Sequence, residues 1–205
     1  MQTLIYEHKG NLYVNLTNRC NNACEFCIRN GSDGIGQHRL WLEKDPTAQE
    51  IIDAMEKAGL SRYPEVVYCG FGEPIMALDV IVEVSRYLRG LPSPPRIRIN
   101  TNGQGNLIHG RDIVPELKEA VDVVSISMNA PDAKKYDELC HPSFGRHAFY
   151  GILEFARLCL ENGIDTVFTV VDVMHEKDIE KCRRIARSLG ARFRVRRMIS
   201  DAQAG

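Results

Sequence analysis

The chain has 205 residues, 44% of them hydrophobic and 26% charged, a composition that lets one globular domain bury its own core. A formal net charge of -1 excludes a global field that would draw the chain to nucleic acid or to an anionic membrane, so any anion binding has to be local. No apolar run is long enough to span a bilayer, and residues 1–20 lack the layout of a signal peptide, so a cytoplasmic protein without membrane association is expected.

In chain order, the first β-branched run, 12–16, predicts a strand and leads directly into three closely spaced cysteines. Thr47 with Glu50 three residues on forms a capping box that opens a helix over 47–59, and Gly59 stops it. Strands follow at 65–69, 96–100, 121–128, 165–171 and 192–198, with helices near 76–89, 111–120, 146–162 and 176–189 between them. Gly163 ends the fourth of these helices, and the segment 90–95 is a rigid connector within the repeating pattern. Six strands separated by five helices predict a parallel α/β sheet or barrel forming a single domain over 1–205.

Alternate residues of a strand point to opposite faces. Arg98 and Asn100 therefore oppose Ile97 and Ile99, Ser125 and Ser127 oppose Val124 and Ile126, and Arg194 and Arg196 oppose Phe193 and Val195. Strands covered on both faces read as continuous apolar runs, and these do not. With helices over the apolar face, the polar face lines a wet or ligand-filled interior, as in an open barrel. An antiparallel sheet with one solvated face is the alternative, opposed by crossovers of helix length.

Seven cysteines in a chain without an export signal read as metal ligands, reactive thiols or small buried residues rather than as disulfides. Cys20, Cys24 and Cys27 can converge on one face of a cubane cluster, which leaves one iron without a protein donor. An open coordination position is what separates a catalytic metal site from a structural one. The same loop with Cys69, a histidine or a remote residue could also form a zinc site. Further along, Gly70-Phe71-Gly72-Glu73-Pro74 and Thr101-Asn102-Gly103 follow the second and third strands, at the carboxyl ends where parallel α/β folds place active sites.

The Cys20, Cys24, Cys27 spacing with Phe26 before the third cysteine resembles the radical S-adenosylmethionine (SAM) superfamily, and the resemblance covers nearly the whole chain. Residues 70–74 look like its Gly-Gly-Glu-Pro motif with Phe71 inserted between the glycines. The resemblance implies an open (β/α)6 partial TIM barrel that binds a [4Fe–4S] cluster at the three cysteines and SAM across the strand ends. Glu73, with Gly72 and Pro74 around it, would meet the methionyl amine, and Phe26 would pack near the adenine. Asn102 would help to hold SAM, Ser127 and Asn129 would lie near the ribose, and Asp172 near the adenine or ribose. Reductive cleavage of SAM would yield a 5′-deoxyadenosyl radical that abstracts hydrogen from a substrate, with a flavodoxin or ferredoxin as electron donor. The residues around the cysteine loop look most like a group of radical SAM proteins associated with TatD-type hydrolases. A glycyl-radical activating enzyme, a deazapurine-forming enzyme, an iron–sulfur redox sensor and a zinc-binding interaction module are the alternatives.

Other features carry less. Arg98, Arg194 and Arg196 are candidate anion ligands for the SAM carboxylate or a substrate, or else salt-bridging residues of the barrel edge. The eight Lys and Arg residues from Lys181 to Arg197 read more readily as a solvated helix face than as a nucleic-acid patch. Cys140 and His141 fall in a loop after the fourth strand, where a buried inert thiol is the simpler reading of Cys140. The glycine-rich stretch 31–36, within the loop 30–45, reads as a mobile loop that folds over the cluster.

Overall fold

A computed structural model describes residues 2–198. The chain opens with a hairpin that the sequence reading missed. β1 (Ile5–His8) pairs antiparallel with β2 (Asn11–Val14) through Lys9 and Gly10, both at positive φ. A second small hairpin, β3 (Gly34–Ile35) and β4 (His38–Arg39), stands where a mobile loop was expected. Its ordering has an apolar cause. Leu40 packs with Tyr6 and Phe71 in a separate buried cluster, and Trp41 meets Phe71 edge-on at 5.1 Å. Phe71, the residue inserted between the glycines, is thus the plug under this hairpin.

From α1 (Ala48–Lys57) onward, helices and strands alternate as expected: β5 (Glu65–Tyr68), α2 (Leu78–Arg89) and β6 (Arg96–Thr101). The capping box at the start of α1 is complete, each partner bonding the other's backbone N–H. A short helix that the sequence reading missed, α3 (Gly105–His109), ends at Gly110 at φ 63°, and the helix predicted at 111–120 is α4 (Val114–Ala120), with Pro115 in its first turn. After β7 (Val123–Ser127) comes α5 (Ala133–Cys140), which was read as loop. Asp132 caps it by accepting from the Lys135 N–H at 2.9 Å, and Ala133, Tyr136 and Cys140 form its buried stripe. Then follow α6 (His147–Glu161), β8 (Asp165–Val171), α7 (Glu176–Leu189) and β9 (Arg192–Arg196).

The main sheet runs β1-β2-β5-β6-β7-β8-β9. Every neighbouring pair from β2 onward is parallel, so the expectation of wholly parallel strands is corrected at β1 alone. β1 and β9 stand at opposite ends of the order, which makes this an open partial barrel. The helix-covered face carries Val66, Ile97, Ile99, Val124, Ile126, Phe168 and Val170, all with no exposed surface. Each such side chain contributes about 1.5–3 kcal/mol by leaving water. Register sets the other face in rows: Tyr13, Val67, Arg98, Val123 and Asp165, then Asn100, Ser125, Val167 and Arg192, then Ser127, Thr169 and Arg194. This concave face is polar, and it ends at the carboxyl-terminal loops where the cysteines lie. Among the described residues, no helix is long and apolar enough to cross a membrane.

Candidate active site

Cys20, Cys24 and Cys27 occupy the loop after β2, all three partly exposed. The loop is pinned from outside. The Ala23 and Glu25 N–H groups donate to the carbonyls of Cys140 and Leu139, each at 3.1 Å, and the Ser143 N–H donates to the Asn21 carbonyl at 2.8 Å. Asn30 Nδ2 donates to the Cys24 and Glu25 carbonyls, and Arg29 lies over Trp41 while donating to the Asn18 carbonyl. The buried Cys140 thiol, beside Cys24 at the end of α5, holds it below the usual thiol range, while burial pushes Cys20 up to about 11. Cys140 and His141 therefore belong to a helix end that supports the loop rather than to a free loop of their own, and His141 takes the left-handed C-cap position at φ 42°.

Among the described residues, no three His, Cys, Asp or Glu side chains are gathered at single-ion distance. One zinc would draw its thiolates to about 3.8 Å from each other. A cubane spreads them over separate irons. The donor set of three thiols on a backbone-anchored loop fits the second arrangement.

Glu73 is 3% exposed and faces three donors: Thr101 Oγ1 at 2.7 Å and the Ile75 N–H at 3.2 Å on Oε1, and the Asn102 N–H at 2.7 Å on Oε2. Burial pushes its carboxyl up to about 7, against the pull of these hydrogen bonds. It ties the turn after β5 to the end of β6, and Pro74 continues that turn as the first residue of a 3-10 helix. The glycines before it have a steric reason. A Cβ on Gly70 would stand 1.9 Å from Asn15 Oδ1, and one on Gly72 would stand 2.3 Å from the Thr17 carbonyl oxygen. The turn thus lies flat on the stretch that leads from β2 to Cys20, with Gly72 N–H donating to Thr17 and Glu73 N–H to Arg19.

A network of amides that the sequence reading missed joins these parts. Asn102 Nδ2 donates to Asn21 Oδ1, and Asn21 Nδ2 to Gln104 Oε1, both at 2.7 Å. Gln104 Nε2 reaches Asn22 Oδ1 and the Tyr136 hydroxyl, which also accepts from Asn22 Nδ2 at 2.9 Å. Two asparagines inside the cysteine loop and a glutamine directly after Thr101-Asn102-Gly103 were the available signal.

Asn129 sits in a tight turn at φ 51°, where the Ala130 N–H donates to the Met128 carbonyl at 2.7 Å. Its Oδ1 is buried without a partner among the described residues. It borders a cleft of about 310 Å³ whose walls include Glu25, Leu139, Val173, Met174 and His175. Asp172, at the end of β8, is not among the residues that line this cleft. Its carboxylate accepts from the Met198 N–H at 2.7 Å and its own N–H donates to the Arg196 carbonyl, so it clamps the ends of β8 and β9. Phe26 is partly buried and packs against the main core.

The three candidate arginines divide. Arg98 pairs with Glu65 at 2.8 Å and donates to Asn100, so it takes the salt-bridging role. Arg196 donates to Ser127 Oγ at 3.2 Å, and its Nε is buried without a partner among the described residues. Burial lowers the pKa of both Arg194 and Arg196.

The family described as "Radical SAM superfamily" matches residues 14–189. An AdoMet-dependent heme synthase from Oleidesulfovibrio alaskensis is 29% identical over 86% of this chain, and the chain spans 42% of that protein. A putative glycyl-radical enzyme activating enzyme from Methanocaldococcus jannaschii is 24% identical, over 88% of this chain and 70% of its own. The crystal structure of Streptococcus suis SuiB bound to S-adenosylmethionine shares the fold, with a TM-score of 0.65 at 16% identity over 92% of this chain and 40% of that one.

Proposed function

Because this chain belongs to the radical SAM superfamily, we propose that Cys20, Cys24 and Cys27 hold a [4Fe–4S] cluster and that SAM lies from this loop towards the cleft beside Asn129. The three thiolates would hold the cluster, which with SAM bound beside it would supply one-electron reductive cleavage of the sulfonium and hydrogen abstraction from substrate. The chain's own residues hold and orient. The hydrogen bonds from Ala23 and Glu25 to α5 fix the loop that presents the three thiolates. Glu73 braces the turn facing it, and its Oε2 takes one hydrogen bond only, which leaves acceptor capacity for the methionyl ammonium. Asn129 Oδ1, without a partner among the described residues, is an acceptor for a ribose hydroxyl, and Val173 and Met174 offer apolar cover for adenine. An electron donor of flavodoxin or ferredoxin type completes the reaction.

The observation that carries this reading is the junction of the three-thiol loop, the Glu73 turn and the end of β6 through one hydrogen-bonded network. A second reading, activation of a glycyl-radical partner protein, is favoured by the Methanocaldococcus relative, of whose length this chain covers 70%. The two part on whether a peptide or a small molecule accelerates turnover.

The test is anaerobic reconstitution with iron and sulfide, then dithionite and SAM, with chromatography for 5′-deoxyadenosine in wild type and Cys24→Ala. Product from wild type alone is expected. A verified [4Fe–4S] cluster that neither binds nor cleaves SAM would sink the proposal and favour a redox sensor.

A further inference from the structure

The concave face carries five arginines, Arg96, Arg98, Arg192, Arg194 and Arg196, by the register of β5, β6, β8 and β9. Three of them are ion-paired in place, two sharing one carboxylate. Asp165 pairs with Arg96 at 2.8 Å and with Arg192 at 2.5 Å, and Glu65 pairs with Arg98. Arg194 and Arg196 have no carboxylate partner among the described residues. The charged and titratable groups around Arg194 are Arg98, Arg192, Tyr13 and the Glu65 already taken by Arg98; around Arg196 they are Cys69, Arg194, Tyr13 and Arg98.

Two residues apart on one strand, the two guanidinium groups leave the backbone on the same face about 6.6 Å from each other. One oxyanion can accept from both forks at that spacing. Arg194 is exposed, whereas Arg196 is half-buried with its Nε unpartnered among the described residues, so an anion there would relieve both the repulsion between the two cations and the poor solvation of Arg196. They stand on β9, the far edge of the parallel strands from the cysteine loop after β2.

We infer that Arg194 and Arg196 form a subsite for an oxyanion of the substrate, a carboxylate or a phosphate, on the concave face below the SAM site. This rests on the reading of that face as the place of hydrogen abstraction. It assigns the substrate to the small anionic class and reserves Arg98 for structure.

The test uses the full chain, reconstituted anaerobically, and follows its thermal unfolding at constant ionic strength. Chloride is exchanged for 10 mM inorganic phosphate or, separately, 10 mM acetate. With a dissociation constant of about 1 mM, bound anion raises the midpoint of a domain this size by roughly 3–6 °C. The larger shift names the source of the oxyanion, phosphoryl or carboxylate. Arg194→Gln alone should reduce the shift and the double variant with Arg196→Gln should abolish it, while SAM binding by equilibrium dialysis stays within twofold. Equal behaviour of wild type and double variant in both anions overturns the subsite. So does a double variant that loses SAM binding, which would assign the arginines to the SAM carboxylate. Anion stabilisation in a protein that forms no 5′-deoxyadenosine supports the subsite and overturns the radical reading alone.

Discussion

Gly72→Ala tests how tightly the Glu73 turn is laid on the segment that leads to Cys20. The new Cβ would stand 2.3 Å from the Thr17 carbonyl oxygen and 2.5 Å from that of Arg19, both backbone atoms that no rotamer change can clear. Reaching even 3.0 Å needs the two segments to part by about 0.7 Å, which stretches the Gly72-to-Thr17 hydrogen bond from 2.9 Å to about 3.6 Å, beyond bonding range. The neighbouring bond from Glu73 N–H to Arg19 weakens with it. Two such bonds at about 1 kcal/mol each, with about 1–3 kcal/mol for overpacking, give a loss of roughly 3–5 kcal/mol. For a domain of this size that lowers the thermal midpoint by roughly 6–20 °C. Gly90→Ala is the control, since its Cβ would meet nothing closer than 3.4 Å. Differential scanning calorimetry of both variants checks the argument. A Gly72→Ala midpoint within about 2 °C of the Gly90→Ala midpoint refutes it.

Tyr136→Phe removes the acceptor shared by Asn22 and Gln104 and should cost about 2 kcal/mol in urea unfolding, with faster hydrogen exchange at the Ala23 amide. Glu65→Gln leaves Arg98, whose side chain is 12% exposed, without its counter-ion and should cost about 3 kcal/mol, whereas Glu65→Leu with Arg98→Met should stay within about 1 kcal/mol of wild type by the same assay. The Glu73 carboxyl is raised to about 7, so between about 4.5 and 7 the folded chain keeps a proton that the unfolded chain has released. Stability from this group is full below that window, falls by about 3 kcal/mol as pH rises through it and is level above. Glu73→Gln should flatten this slope, and denaturation at about pH 5 and pH 8 would count against it if both proteins lost stability equally.

Elements whose signal is local were legible in the sequence. The run Asp165–Val171 was read to both ends because five β-branched residues lie in its seven positions, and Thr47 with Glu50 announced α1 because capping is settled within one turn. β1 escaped notice because Ile5–His8 is short and half polar, and needs β2 to be a strand at all. α5 was hidden by its charged face, Lys134, Lys135 and Glu138, around only three buried positions. At the candidate site, the positions of the three cysteines after β2 and of Glu73 after β5 were legible, because each directly follows a strand that the sequence announces. Asn21, Asn22, Gln104 and Tyr136 were not, since each acts through partners tens of residues away. The bond from the Met198 N–H to the Asp172 carboxylate was not legible either, since it joins strand ends 26 residues apart. The Arg98–Glu65 pair likewise depended on register, which parity alone does not supply.

The cysteine loop takes its backbone partners from the end of α5: Ala23 from Cys140 and Glu25 from Leu139. At about 5–20 residues per second, the ribosome needs roughly 6–23 s to travel from the first of these positions to the last. During that interval the thiols are already synthesised and the local bonds from Asn30 can form, but the two bonds to α5 cannot. The first half of the cysteine loop therefore reaches its final shape only once α5 has folded against it, however early the thiols themselves are made.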